Sequence, residues 1–436
     1  MHNPTLVFSP LRHAVPAQGG AVDLLLRVQA PDRPADLAVK HTPKRLALVV
    51  DRSGSMHGEP LDEAMKCVSH IAKHLTPKDD LCIVVYDTRV DVLMPIGPML
   101  SQDAVQTAIS QVTSGGSTNL HGGWLAGAEQ LEGGSDNAIS RVLLLSDGQV
   151  NSGLRSQSEI EAQCTAWQAK GITTTTVGLG RNFNEDLMVG MAQAGGGQNY
   201  YGQRAEDLFD SFDEELSLLQ AMYMRKLSAK LIPAPGVIVE MLSTATQQTD
   251  GTYRMTDLAW DSESWLAVRL HVSPTAAGTV RDLLAVTVTG TTMDGASIAV
   301  TAPLLQLEAM DEATYAQLAV DELAERRLDE LRFAKASSKL RELAQAGQMD
   351  AAKNLLNDLE NEFGHNPWLS AKIEQLRRLT EEDVSMMMKE VSYTAYRMSR
   401  RLTSKNEMMF GKDETDAMMP AFLRKKVQEG RGRSKS

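Results

Sequence analysis

The chain has 436 residues, enough for two to four folded domains, and its 42% hydrophobic and 23% charged residues are the proportions of a globular protein with more than one core. Fifty-six acidic residues outnumber forty-four basic ones, and the net charge of −12 argues against nucleic acid as a partner, because such a surface repels a phosphate backbone.

Residues 5–30 alternate loosely, with apolar Leu6, Phe8, Val22, Leu24, Leu26 and Val28 and breaks at Pro10, Pro16 and Gly19-Gly20. This predicts two antiparallel strands, too few to stand alone. From about Arg45 to Met222 short apolar runs alternate with helical stretches. The runs LALVV (46–50), LCIVVY (81–86), VLLLS (142–146) and ITTTTVGL (172–179) have the continuous apolar character of strands buried on both faces. Residues 59–75, 102–111, 122–132 and 157–170 show helical spacing, and a last helix is expected over 205–221. Strands alternating with helices predict a mostly parallel sheet covered on both sides.

After Met222 the pattern changes to strands. KLSAKLIPAPGVIVEML, TYRMTDLAW, WLAVRLHV, DLLAVTVTG and SIAVTAPLLQL read as five or so strands at the spacing of an antiparallel sandwich. The isolated N-terminal pair is expected to join them, which makes the α/β unit an insertion in a β-sandwich. From Asp311 to about Arg401 the composition predicts three helices, broken at Gly347 and at GHNP (364–367). The first two, 312–345 and 349–363, resemble one tetratricopeptide-type hairpin, the alternative being a helical bundle packed on the rest of the chain. The expected partition is 1–43 N-terminal strands, 44–222 the α/β unit, 223–310 the sandwich, 311–400 a helical region and 401–436 a flexible basic tail.

Cys67, Cys82 and Cys164 are far apart, odd in number and without CxxC or Cys/His spacing, so they are expected to be small buried hydrophobes in a reducing compartment. No stretch approaches the ~18 apolar residues of a membrane span, and MHNPTLVFSPLRHAVPAQGG lacks the apolar core of an export signal. A cytoplasmic location is expected.

Ligands of a parallel α/β sheet bind at the carboxyl ends of its strands, and the first buried strand runs directly into Asp51-Arg52-Ser53-Gly54-Ser55. Thr118 lies in the Gly-rich loop SGGSTNLHGG, which leads into a helix, and Asp147 ends the strand VLLLS. Two carboxylates and three hydroxyls make an all-oxygen set without sulfur or imidazole. Such a set suits a hard divalent cation, Mg2+ or Mn2+ with Ca2+ as a further candidate, and suits zinc poorly. If the carboxylates act through water, at least one coordination position is left for an outside ligand.

DRSGS, the downstream Thr of GGST and the Asp of LSDG resemble the metal-ion-dependent adhesion site of the von Willebrand factor A (VWA) domain, whose pattern is DxSxS…T…D, over about residues 44–222. No position departs from that pattern. The resemblance implies a Rossmann-like fold, so the expected class is an α/β VWA domain, a mostly parallel sheet flanked by helices, inserted in or joined to an antiparallel β-sandwich and followed by an α-helical C-terminal region. It also implies that Ser53, Ser55 and Thr118 ligate the metal directly or nearly so, while Asp51 and Asp147 hold bound waters. A partner's Asp or Glu carboxylate would complete the coordination. The domain order resembles bacterial cytoplasmic VWA proteins, and the resemblance implies work beside AAA ATPases, kinases or phosphatases.

The expected function is therefore a non-enzymatic, metal-dependent scaffold or adaptor, with oligomers allowed. One alternative is a metal-dependent hydrolase, for which His57 and His121 are the nearby candidate bases and surface residues the plainer account. Another is an assembly protein in which an acidic side chain such as Asp311 or Glu312, from the same chain or a neighbouring copy, fills the open position. HExxH, GxSxG and GxxxxGK[ST] are absent, and Gly178-Leu-Gly180 reads as a turn. Trp124 either offers an aromatic face to a partner or packs on the sheet, and the methionines of 386–388 and 408–409 either form an adaptable surface or, for the first group, a helix end in a core. In the tail, Phe422, Leu423 and Arg424 belong to PAFLRK, similar to the C-terminal peptide of the bacterial tubulin-like cell-division GTPase. With six basic residues against one acidic over 421–436, this segment reads as a partner-docking peptide or as a solvated tail.

Overall fold

The computed structural model describes residues 3–33, 42–134, 138–147, 150–180, 183–202, 204–400 and 403–404. Among these, 3–33 and 222–404 build one compact unit and 42–221 another, so the second unit interrupts the first in sequence. The chain opens with β1 (Thr5–Pro10), β2 (Val15–Pro16) and β3 (Gly20–Gln29), and β1 pairs antiparallel with β3.

The interrupting unit runs β4 (Lys44–Asp51), α1 (Glu59–Lys73), β5 (Asp80–Tyr86), β6 (Val90–Pro98), α2 (Gln102–Ser110), α3 (Leu120–Gln130), β7 (Ile139–Ser146), α4 (Gln157–Ala169), β8 (Ile172–Leu179), α5 (Glu185–Ala194), β9 (Gly196–Gly202) and α6 (Glu206–Gln220). Its six strands lie in the order β6-β5-β4-β7-β8-β9, all parallel except the β5–β6 pair. Leu46 to Val50 and Leu81 to Tyr86 are buried throughout, which is why those segments are continuous apolar runs. In β8 the threonines take opposite faces in turn. Thr174 accepts from Nε1 of Trp124 on α3 and Thr176 donates to the Met188 carbonyl on α5, whereas Thr175 donates to Glu215 on α6. Both faces of the sheet are thus covered, and the hydroxyls buried in ITTTTVGL are paired. Cys67, Cys82 and Cys164 are free and buried, and burial pushes all three thiols up, Cys82 to about 12.

The other unit continues with β10 (Met222–Pro233), β11 (Val237–Met241), β12 (Tyr253–Arg254), β13 (Leu258–Ala259), β14 (Ser262–Val272), β15 (Val280–Thr292), β16 (Ser297–Thr301) and β17 (Leu305–Met310). The N-terminal β3 pairs antiparallel with β14 from Gly20–Val272 to Gln29–Glu263, and the order of that sheet is β1-β3-β14-β11. A second sheet runs β12-β10-β15-β17-β2. One hydrophobic cluster takes Leu24, Leu26 and Val28 from the first sheet and Leu227, Ala229, Val286 and Val288 from the second.

The helices that follow are α7 (Glu312–Gln317), α8 (Glu322–Gln345), α9 (Met349–Phe363), α10 (Pro367–Glu382) and α11 (Val384–Arg400). Two stretches expected as single helices are each split by an aspartate. Asp321 accepts from the Ala324 amide and starts α8, and Asp383 accepts from the Met386 amide and starts α11. The last four helices share a core of Phe333, Leu340, Leu356, Phe363, Ile373 and Met387 among others, so the segment is a bundle. On the sheet face opposite the main cluster, Ala324, Leu328 and Leu331 of α8 pack against Leu25, Trp265 and Ala267. Fully buried Glu263 joins the two layers by accepting from Arg27, Gln29 and Arg327, the last at 2.5 Å. No helix of the described residues is long and apolar enough to cross a membrane.

Candidate metal centre

The chain passes from β4 to β5 on one side and later returns to add β7 on the other. A doubly wound sheet leaves a crevice where the winding direction reverses, outside the carboxyl ends of the two strands concerned. Asp51 is the last residue of β4, and Asp147 directly follows Ser146, the last of β7. Val50 is paired with Leu145, so both carboxylates leave neighbouring strands at nearly the same height.

Asp51 is fully buried. Its Oδ1 accepts from the Ser53 amide at 2.8 Å and its Oδ2 from the Ser146 hydroxyl at 2.6 Å. Burial pushes the Asp51 carboxyl up to about 6; the bonds from Ser146 and Ser53 hold it down, and the charge of Asp147 adds to the rise. Asp147 is itself buried. On the neighbouring strand, paired in register with Asp51, the phenol of fully buried Tyr86 is raised well above its ordinary value, by burial first and by the Asp51 charge second, and stays protonated.

Ser53 and Ser55 follow on a tight turn, Gly54–Met56, anchored by buried Met56. Their hydroxyl oxygens lie 3.1 Å apart, Ser53 buried and Ser55 exposed. The loop carrying Thr118 is laced to this turn: the Gly115 amide donates to the Arg52 carbonyl at 2.8 Å and the Gly54 amide to the Gly116 carbonyl at 3.1 Å. Gly116 has φ +72°, and a Cβ there would lie 2.8 Å from Thr88 Oγ1, so both conformation and space require glycine. Buried Thr118 donates its amide to Asn151 Oδ1 at 2.6 Å, and its carbonyl accepts from the Ser152 amide at 3.1 Å. Arg52 turns away, with Nε 3.1 Å from Asp87 Oδ2 and a second contact to Asp91, which balances its charge outside the oxygen set.

The structure therefore brings Asp51, Ser53, Ser55, Thr118 and Asp147 to one end of the sheet. Two carboxylates and three hydroxyls fit a hard dication, which would offset the mutual repulsion of the two buried acids. Ser146 and Asn151, which orient Asp51 and Thr118, went unread in the sequence. The only signal was their position: Ser146 precedes Asp147 at a strand end, and Asn151 sits in the polar loop just after it.

Trp124 requires a correction. Its ring has no exposed surface and its indole N–H is bonded to Thr174 at 3.0 Å, so it is a core residue of α3 and offers no face to a partner. His57 is exposed with Nδ1 3.0 Å from Ser114 Oγ, and His121 has Nε2 2.9 Å from Gln163 Oε1. Asp311 caps α7 by accepting from the Thr314 amide and hydroxyl at 3.0 and 2.7 Å. Met386 and Met387 are buried. Phe422, Leu423 and Arg424 lie outside the described residues, as do the rest of the basic tail and Met408 and Met409.

Residues 46–215 match the model of the von Willebrand factor type A domain. This segment is a VWA domain. Such domains often mediate protein–protein interaction and commonly bind a divalent metal. Among solved structures, the chain is similar to a von Willebrand factor type A protein of Catenulispora acidiphila, with a TM-score of 0.70 and 16% identity over 90% of this chain and 97% of that one. It is also similar to the ArnB paralog VWA2 of Sulfolobus acidocaldarius, with a TM-score of 0.62 and 16% identity over 91% and 99%. At these identities the likeness establishes the fold alone. Curated relatives include an uncharacterized protein of Synechocystis, 23% identical over 56% of this chain and 61% of its own length. Protein YfbK of Escherichia coli, also uncharacterized, is 27% identical over 45% of this chain and 34% of its own. Inter-alpha-trypsin inhibitor heavy chain H3 of Pongo abelii is 26% identical over 49% and 24%. The chain thus spans less than two thirds of the length of each of these three relatives.

Proposed function

We propose that the VWA domain is a metal-dependent protein-interaction module, with Asp51, Ser53, Ser55, Thr118 and Asp147 as its adhesion-site set and Mg2+ or Mn2+ as the ion. When bound, the ion supplies an open coordination position for the Asp or Glu carboxylate of a protein partner. The observation that carries this reading is the convergence of two buried carboxylates and three hydroxyls at the reversal point of the sheet. The chain's own part is pre-organisation. Ser53 and Ser146 hold Asp51 in place, Asn151 holds the Thr118 backbone, and the paired 52–54 and 115–116 segments keep Ser53 and Thr118 on facing loops. Hydroxyls carry no charge, so an ion held through them keeps its attraction for an incoming carboxylate.

In the same reading the two sheets, antiparallel except for the β2–β17 pair, form a β-sandwich that the VWA domain interrupts in sequence, and the chain serves as a bacterial cytoplasmic scaffold or adaptor beside an AAA ATPase, kinase or phosphatase. The test is calorimetric titration with Mg2+ and Mn2+, joined to partner capture. Wild type should take up one ion, Thr118→Ala should lose that uptake, and captured partners should be released by EDTA and missed by Asp51→Ala. Partners retained in excess EDTA, or captured equally by Asp51→Ala, would refute the mechanism.

A further inference from the structure

A second cluster of metal-ligating side chains lies on other elements of the VWA domain and uses no residue of the oxygen set. The last turn of α1 carries His70, and His74 caps the helix one turn later, so the two imidazoles share a face. Asp213 of α6 meets them. Its Oδ1 lies 2.7 Å from His70 Nε2 and 3.5 Å from His74 Nε2, and one donor atom from each residue falls within 4.8 Å of the others. Both rings are already oriented. His74 Nδ1 is 2.9 Å from the His70 carbonyl oxygen, and as the donor in that bond it leaves the Nε2 lone pair facing Asp213. The His70 ring stacks on Phe209 of α6 at 4.1 Å and 4°. The C-terminal end of α1 adds the partial negative charge of its free carbonyls.

We propose that His70, His74 and Asp213 form a second metal site, selective for a borderline divalent ion of the zinc class and distinct in chemistry from the all-oxygen set. Metal–nitrogen and metal–oxygen bonds of about 2.0–2.2 Å place neighbouring donors about 3.3 Å apart in a tetrahedral site; the 3.5 Å separation of His74 from Asp213 is close to that, and the 2.7 Å His70–Asp213 hydrogen bond would open slightly as the ion replaces its proton. Two imidazoles and one carboxylate suit Zn2+, Co2+ or Ni2+ over Mg2+. The side chains of His74 and Asp213 are 44% and 46% exposed, so the remaining positions are open to water. Binding ties the end of α1 to α6, the last helix of the VWA domain.

The test uses the untagged full chain in millimolar Mg2+, which occupies the oxygen set, titrated with Zn2+ by calorimetry and with Co2+ by visible absorption. The expected result is one ion per chain, with affinity falling about tenfold or more in His74→Ala and in Asp213→Asn and unchanged in Thr118→Ala. Circular dichroism of the two exposed-site variants should match wild type. Absence of Zn2+ and Co2+ uptake, or uptake indifferent to both substitutions, overturns the proposal and leaves the cluster a histidine–aspartate hydrogen-bond network. Neither outcome bears on the oxygen set, whose own test is the Thr118→Ala titration with Mg2+.

Discussion

Asp51→Asn separates the stability cost of the oxygen set from its function. In the metal-free chain the Asp51 carboxyl titrates at about 6 against an ordinary 3.8, chiefly through burial. That gap corresponds to about 3 kcal/mol. The folded-state value is the higher one, so the stabilising contribution is complete below the unfolded pKa and is lost as pH rises through about 6. Asparagine keeps the oxygen that accepts from the Ser53 amide, and the Ser146 hydroxyl can turn to accept from the new N–H. In chelator near pH 8 the variant should therefore be more stable than wild type by up to about 3 kcal/mol, with the advantage vanishing below about pH 4. Added Mg2+ should stabilise wild type and leave the variant unchanged. The assay is urea unfolding of both chains between about pH 4 and pH 8, reading the unit that carries Trp124 and Trp167. Taking the difference removes Asp79 and Glu63. Burial alone would raise both, yet amide bonds to Asp79 from Thr76 and Lys44, and to Glu63 from Ala205, hold them low, so they pull stability the opposite way with pH. A wild-type-minus-variant difference that stays flat across the pH range refutes the reasoning.

Two further substitutions test the packing that positions the site. A Cβ on Gly127 would lie 2.4 Å from Val49 Cγ2, so Gly127→Ala should push α3 off the sheet, cost about 1–3 kcal/mol in thermal unfolding and weaken Mg2+ uptake through Thr118 just before that helix; an unchanged melt sinks the argument. In the other unit, Glu263→Ala takes from buried Arg327 and part-buried Arg27 the carboxylate they share, and the expected loss is about 3–5 kcal/mol in urea unfolding; a loss no larger than that of a surface substitution contradicts it.

How much of this was legible in the sequence depended on how each element is buried. LALVV, LCIVVY and VLLLS stand out because a parallel strand covered on both faces has no polar face to interrupt it. β6 and β9 carry no such mark. The first is an edge strand with Pro95 and Pro98 and half-exposed side chains, and the second, GGQNYYG, is polar and glycine-rich. The breaks before α8 and α11 were hidden for a different reason: Asp321 and Asp383 act as caps only because the chain turns there, and in an Ala, Leu, Glu and Lys-rich stretch an aspartate looks like any other solvated residue. Trp124 lies in GGWLAGA, apolar nearly all round, so periodicity could not say which way the ring points. The glycines could have. Gly123 and Gly127 share a helix face, and a Cβ on either would collide with Tyr86 or Val49, which marks that face as the one pressed on the sheet.

The donor types of the oxygen set were readable while their supports were not, and topology is the reason. Ser146 donates to Asp51 across 95 residues of sequence, and Asn151 accepts from Thr118 across 33. Such bonds exist only because β7 is laid beside β4, whereas β5 and β6, which come between them in the chain, extend the sheet on the opposite side. Had the strands been added in sequence order, β5 and β6 would separate Asp147 from Asp51, and the same five oxygens would sit on one sheet edge without meeting. A strand-end aspartate followed by two serines is thus a necessary part of the site. The reversal of winding beside β4 is what brings the set together, by turning two distant strand ends into walls of one crevice and leaving the buried Asp51–Asp147 pair with an electrostatic cost that a divalent ion would offset.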